Sequence, residues 1–112
     1  MQPYQIDYLN LLAQFYLRNN QCDRAATLWA LLLMLQPDHP QTALALAFTH
    51  LRRGAYHDAL SLARRYTRNA LDLPLQIVAY YVKTRALYHL GEVQQSRYVA
   101  RILCEKRKQY HG

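Results

Sequence analysis

Asn20-Gln21-Cys22-Asp23-Arg24-Ala25 and Gly54-Ala55-Tyr56-His57-Asp58-Ala59 are the two stretches that decide how this chain is read. In each, a turn-prone residue stands five positions before an alanine that opens a helix, and the two alanines are 34 residues apart. Gly91 starts a third segment of the same kind, with Ser96 at the alanine position. Around these turns the apolar residues recur at helical spacing, without alternation at period two, which argues against a sheet. A repeat of this length with one turn in its middle is a pair of antiparallel helices. One pair cannot bury its own apolar face, whereas three stacked pairs can. Helices are predicted over residues 4–18, 22–35, 40–52, 56–70, 75–89 and 93–109. Asp38-His39 before Pro40 and Asp72 before Pro74 read as helix starts.

The period and its filling resemble the tetratricopeptide (TPR) repeat. In residues 6–39, Leu9, Leu12, Ala13 and Tyr16 fall on the first-helix core positions of that pattern. Ala25, Trp29, Leu32 and Pro37 fall on its second helix and exit. Residues 40–73 repeat it with Ala43, Leu46, Ala47, Ala59, Ala63 and Tyr66, although His50 replaces a Tyr and Leu71 stands where Pro is expected. With about three residues inserted near 71–75, residues 77–110 form a third copy carrying Ser96, Ala100 and Leu103, with Lys83 at a Leu site. The small residues let helices approach closely while larger apolar ones fill the layers between them. The resemblance implies an all-α fold: three TPR-like helix pairs stacked as a short right-handed superhelix, in a single domain spanning residues 1–112. The last helix becomes polar toward its end, as suits the cap of a solenoid.

At 112 residues, 52% of them hydrophobic, with three Gly and four Pro, the chain can bury a core without a disulfide or a metal. Cys22 and Cys104 match no metal spacing; they are read first as free thiols and second as a disulfide pair, which nothing in the sequence demands. The longest apolar run, Trp29 to Leu35, is far short of the roughly 20 residues that cross a bilayer. The opening MQPYQIDY lacks a basic start followed by an apolar stretch, so no secretory signal is expected and the chain is placed in the cytoplasm. The net charge of +7 is unevenly spread: residues 1–51 hold two basic and three acidic side chains, residues 52–112 hold 12 and four. Such asymmetry is read first as solvated helix faces, and second as a surface for an acidic partner.

No catalytic constellation emerges. His39, His50, His57, His89 and His111 are scattered without ligand spacing, and His50 is expected to pack between helices. The seven acids stand singly, most of them at helix starts where a carboxylate stabilises the first turn. Three glycines are too few for a phosphate-cradling loop, and no nucleophile-elbow, P-loop or dinucleotide motif occurs. The chain is therefore expected to be no enzyme and to need no cofactor or metal. Nucleic-acid binding is the competing class, carried by Arg52-Arg53, Arg64-Arg65 with Arg68, and the basic stretch from Arg97 to Lys108, with Tyr66, Tyr98 and Tyr110 interleaved. It lacks a nucleic-acid fold signature.

In a TPR stack the first helices line a concave surface, at the second, fifth, ninth and twelfth positions of each repeat. Those positions are Asp7, Asn10, Gln14 and Leu17; Gln41, Leu44, Phe48 and Leu51; and Val78, Tyr81, Arg85 and Tyr88. The expected partner-binding groove is Asn10, Gln14, Leu17, Leu44, Phe48, Leu51, Tyr81, Arg85 and Tyr88. It has a polar first edge, an apolar and aromatic middle, and Arg85 placed to meet a carboxylate. It lacks the several Lys, Arg and Asn of a clamp for a chain-end carboxylate.

A lone TPR domain of this size resembles the small chaperones of bacterial type III secretion systems. It is most similar to the YscY-type chaperone, with needle-subunit chaperones a close rival. The likeness is carried by Leu9 to Leu17, Asp23-Arg24-Ala25-Ala26, Leu28 to Leu35 and Leu35-Gln36-Pro37-Asp38-His39. It implies a cytoplasmic chaperone that binds a small, aggregation-prone protein of the export machine through an amphipathic helical segment. Assembly as a homodimer or heterodimer is left open, and membrane insertion is not expected. The strongly basic second half departs from many secretion chaperones, which are acidic. A general TPR adaptor is the alternative within the same class.

Overall fold

The computed structural model describes residues 2–67 and 72–111. It contains α1 (Pro3–Arg18), α2 (Cys22–Leu35), α3 (Pro40–Arg52), α4 (Tyr56–Thr67), α5 (Leu73–His89) and α6 (Val93–His111). Among the described residues there is no strand. The predicted helix bounds hold to within two residues wherever they can be compared. Residues 68–70 of the predicted fourth helix, and Leu71 at the expected Pro site, lie outside the described residues.

One turn is built three times. Asn20, Gly54 and Gly91 take left-handed backbone angles, with φ of 59°, 83° and 84°. The amide of each donates to a carbonyl three residues back: Asn20 to Leu17 (3.2 Å), Gly54 to Leu51 (3.2 Å) and Gly91 to Tyr88 (3.1 Å). The next amide reaches back five: Gln21 to Tyr16 (2.9 Å), Ala55 to His50 (2.8 Å) and Glu92 to Leu87 (2.9 Å). This double closure satisfies the last carbonyls of α1, α3 and α5 and reverses the chain into the next helix. The first turn uses Asn, one of the few side chains that tolerate this region. Its Oδ1 also accepts from the Arg52 guanidinium, which donates as well to the Leu17 carbonyl at 3.3 Å.

α3 and α5 both begin with a proline in the first turn, where a missing N–H costs nothing. The Asp72 carboxylate accepts from the Leu75 amide at 3.1 Å, so α5 starts two residues earlier than predicted. At α3 the cap is His39, whose Nδ1 accepts from the Thr42 amide at 3.2 Å.

Each helix packs against the next in sequence, and α3 also packs against α5. The alanines chosen as close-approach sites, Ala13, Ala25, Ala47 and Ala59, are all 0% exposed. Ala13 and Ala25 cluster with Trp29, Leu32 and Leu46 where α1, α2 and α3 meet. Ala47, Ala59 and Ala63 meet Val82 where α3, α4 and α5 meet. Leu60, Ala86, Leu87 and Val99 continue this core toward α6. Two partly buried hydrogen bonds fasten the layers. The Tyr66 hydroxyl donates to the Pro37 carbonyl at 2.8 Å, joining α4 to the α2–α3 loop, and the Ser96 hydroxyl donates to the Thr84 carbonyl at 2.8 Å. The outcome is an elongated body of 43 × 29 × 23 Å.

Candidate functional site: a trough on α1, α3 and α5

Helical spacing puts Asn10, Gln14 and Leu17 on one side of α1, Gln41, Leu44, Phe48 and Leu51 on one side of α3, and Val78, Tyr81 and Arg85 on one side of α5. Four adjoining depressions run across these helices and share walls. The first is bounded by the polar side chains Asn10, Gln14, His39, Gln41 and Thr42 together with Trp29 and Ala45. The second, about 420 Å³, lies among Gln14, Leu17, Leu44, Phe48, Leu75 and Val78. The third, about 360 Å³, is walled by Phe48, Ile77, Val78 and Tyr81 from α3 and α5, and by Leu103 and Arg107 from α6. The fourth holds Leu51, Arg52, Arg85 and His89 beside Phe48 and Tyr81. Phe48 borders the last three, so the depressions form one trough around its ring.

The side chains expected in the groove fall into three groups. Asn10, Gln14, Leu17, Phe48, Leu51, Tyr81 and Arg85 line the trough. Leu44 also borders it, but it is 1% exposed and packs with Ala43, Tyr66 and Ala79, so it forms the floor of the trough. Tyr88 is exposed but borders none of these depressions, and its ring stands edge-on to His89 instead (5.6 Å between centroids).

Several lining residues were missed by the sequence reading. Trp29 was assigned to the core of the second helix and is 3% exposed, yet it borders the first and second depressions. Its indole Nε1 is buried and has no hydrogen-bond partner among the described residues. Leu103 and Arg107 come from α6, outside the first-helix positions considered. A tandem helix pair implies that the last helix closes one side, and that was the available signal.

The trough carries positive charge. Arg52, Arg85 and Arg107 line it, with His89 beside them, and among the described residues no acidic side chain does. The ion pair between Arg53 Nε and Asp23 Oδ1 (3.1 Å) lies on the surface, between α3's end and α2's start. Lys83 and His50 lie outside the lining. Burial lowers the Lys83 pKa, the Arg64 charge lowers it further, and the ammonium rests over the Tyr80 ring at 5.1 Å. Burial likewise lowers His50 below its ordinary value, against the pull of Asp58 and helped by Arg53. Among the described residues no cluster of three His, Cys, Asp or Glu is placed to hold a metal ion, and no helix is long and apolar enough to cross a membrane. No protein-family model matches the chain, and no curated protein or solved structure matches it.

Proposed function

We propose that this chain is a TPR-like chaperone of the type III secretion class, which holds an amphipathic helical segment of a small export protein in its trough. The observation that carries the reading is the continuity of the trough around Phe48, apolar at its centre and basic at its end. Three identical helix reversals, at Asn20, Gly54 and Gly91, support the three-pair TPR-like stacking on which the trough depends. The trough's apolar lining of Leu17, Phe48, Val78 and Tyr81 suits a helix whose apolar face carries two or three large side chains. Covering those anchors contributes several kcal/mol, at about 25 cal/mol per Å². Arg85 and Arg107 favour a segment with carboxylates beside its apolar face.

The mechanism is competition for one surface. An isolated amphipathic segment polymerises through its apolar face. Phe48, Leu51, Val78 and Tyr81 cover that face, and the segment stays in solution until it is handed on for export in the cytoplasm. A general TPR adaptor would use the same contacts without the hand-over, and catalysis has no place in either reading.

Tagged wild-type and Phe48→Glu chains passed through native-host extract at moderate salt test the proposal. Wild type is expected to retain one small protein that the variant loses. Trp29 is the only tryptophan, so its emission reports occupation of the trough by that protein. Equal retention by both chains sinks the groove reading. Retention of nucleic acid with a steep salt dependence would favour the competing class instead.

A further inference from the structure

The outer side of α1 carries a second apolar surface that the trough does not use. Tyr4, Tyr8, Leu11 and Phe15 follow one another at intervals of four, three and four, and each is between 57% and 69% exposed. That spacing makes one continuous stripe, with the seam geometry of a two-helix coiled coil. The helix does not need these residues for its own packing: Ile6, Leu9, Ala13, Tyr16 and Leu17 already fill the core side. Single exposed leucines are ordinary, but four large apolar side chains in one exposed stripe are not.

We infer that this stripe is a self-association surface, on which two copies of the chain pack α1 against α1 about a two-fold axis. Three features select a second copy as the occupant. The first is charge. Asp7 and Arg18 are the only charged side chains of α1, whereas 12 of the 14 Lys and Arg lie beyond residue 51. Two chains of charge +7 therefore meet with least repulsion here, and a strongly acidic partner finds almost no cation to pair with. The second is symmetry. A two-fold interface needs a self-complementary patch, and an uncharged seam satisfies this. Antiparallel packing sets Tyr8 against the other copy's Leu11, Tyr4 against its Phe15, and the helix dipoles head to tail. The third is area. At about 200 Å² for an aromatic side chain, the four residues leave roughly 500 Å² open per copy, or roughly 1,000 Å² for the pair. That is close to the roughly 1,200 Å² at the low end of specific complexes. Asn10, Gln14 and Leu17 lie on a different side of α1, so each copy keeps its trough open.

Equilibrium sedimentation of the purified full chain tests this independently of any trough ligand. The expected mass is 26.4 kDa, twice 13.2 kDa. The double substitution Tyr8→Glu and Leu11→Glu, both at exposed sites, is expected to give 13.2 kDa with unchanged helicity by circular dichroism. Phe48→Glu is expected to stay at 26.4 kDa, which separates this surface from the trough. A wild-type mass of 13.2 kDa at about 100 μM, a concentration that populates dimers with Kd at or below that value, overturns the inference. A dimer that survives the double substitution overturns it too. Should that variant lose helicity, a Tyr8→Cys chain mixed with a Leu11→Cys chain, both carrying Cys22→Ser and Cys104→Ser, decides the matter. Mild oxidation is expected to yield the covalent heterodimer, and its absence overturns the antiparallel pairing.

Discussion

The rings of Phe48 and Tyr81 lie 6.4 Å apart, centroid to centroid and tilted by 35°, and join α3 to α5 along the trough. Phe48 is half-buried and Tyr81 is 41% exposed, so the pair offers a partner an apolar surface already fixed on one side. Truncating either ring to alanine removes one anchor, worth about 1.5–3 kcal/mol if fully covered in the complex. Phe48→Ala and Tyr81→Ala are each expected to weaken partner binding by roughly 10- to 100-fold. Titration calorimetry with the isolated partner checks this, and helicity should not change.

Ala25 and Ala59 are fully buried at equivalent positions of two helix pairs, one against Ala13 and the other against Ala47. Leucine at either site has to push packed backbones apart. Ala25→Leu and Ala59→Leu are expected to cost about 1–3 kcal/mol each, and to lower the melting temperature by several degrees or more. Ala30→Leu, at an exposed site of α2, is the control and should leave it nearly unchanged. An unaltered melting point for Ala25→Leu would mean that the repeat register is misplaced.

Lys83 occupies a position that the repeat pattern gives to leucine, and the half-buried ammonium bears the consequence in its lowered pKa. Its contact with the Tyr80 ring returns about 0.5–1 kcal/mol. Lys83→Leu forfeits that contact but removes the desolvation and the repulsion from Arg64. The substitution is expected to raise the melting temperature by a few degrees in differential scanning calorimetry.

His50 sets an acid-side dependence. Burial favours its neutral ring in the folded chain, holding the pKa below the ordinary 6.5. On acidification the unfolded chain takes up this proton first, so stability falls as pH drops through about 6.5 and levels off below the folded value. His50→Gln is expected to lessen the loss of urea midpoint between about pH 7.5 and pH 5.5, measured on both chains. Parallel pH curves for wild type and variant would rule out this origin.

Helix ends were legible because turns and caps have local chemistry: Asn20, Gly54 and Gly91 each reverse the chain, and Pro40 and Pro74 mark starts. Sidedness was less legible. Leu44 and Phe48 share one side of α3, yet the first is 1% exposed and the second borders the open trough. Their separation depends on how deeply α5 settles against α3, which no spacing rule encodes. α1 hid its outer stripe for a related reason. It is apolar on nearly every side, and periodicity cannot distinguish the core-facing Leu9 and Ala13 from the exposed Tyr8 and Leu11. Trp29 reads as core from its repeat position, and its contribution to the trough wall appears only once α1 and α3 are placed beside it.

Gly54 and Gly91 isolate the cost of the turn itself. Both have φ near +84°, and a Cβ at either would meet nothing within 4 Å. Any loss on substitution therefore comes from the backbone, since an L side chain disfavours this region by roughly 1–2 kcal/mol. Gly54→Ala and Gly91→Ala are each expected to lower the unfolding free energy by about 1 kcal/mol in urea titration, with an unchanged slope. Gly54→Asn should recover part of the loss, because Asn20 already holds the equivalent turn at φ 59°. If Gly54→Ala were neutral, the left-handed closure between α3 and α4 would not be the conformation the chain adopts in solution, and the proposed TPR-like stacking, which rests on that reversal, would have to be abandoned.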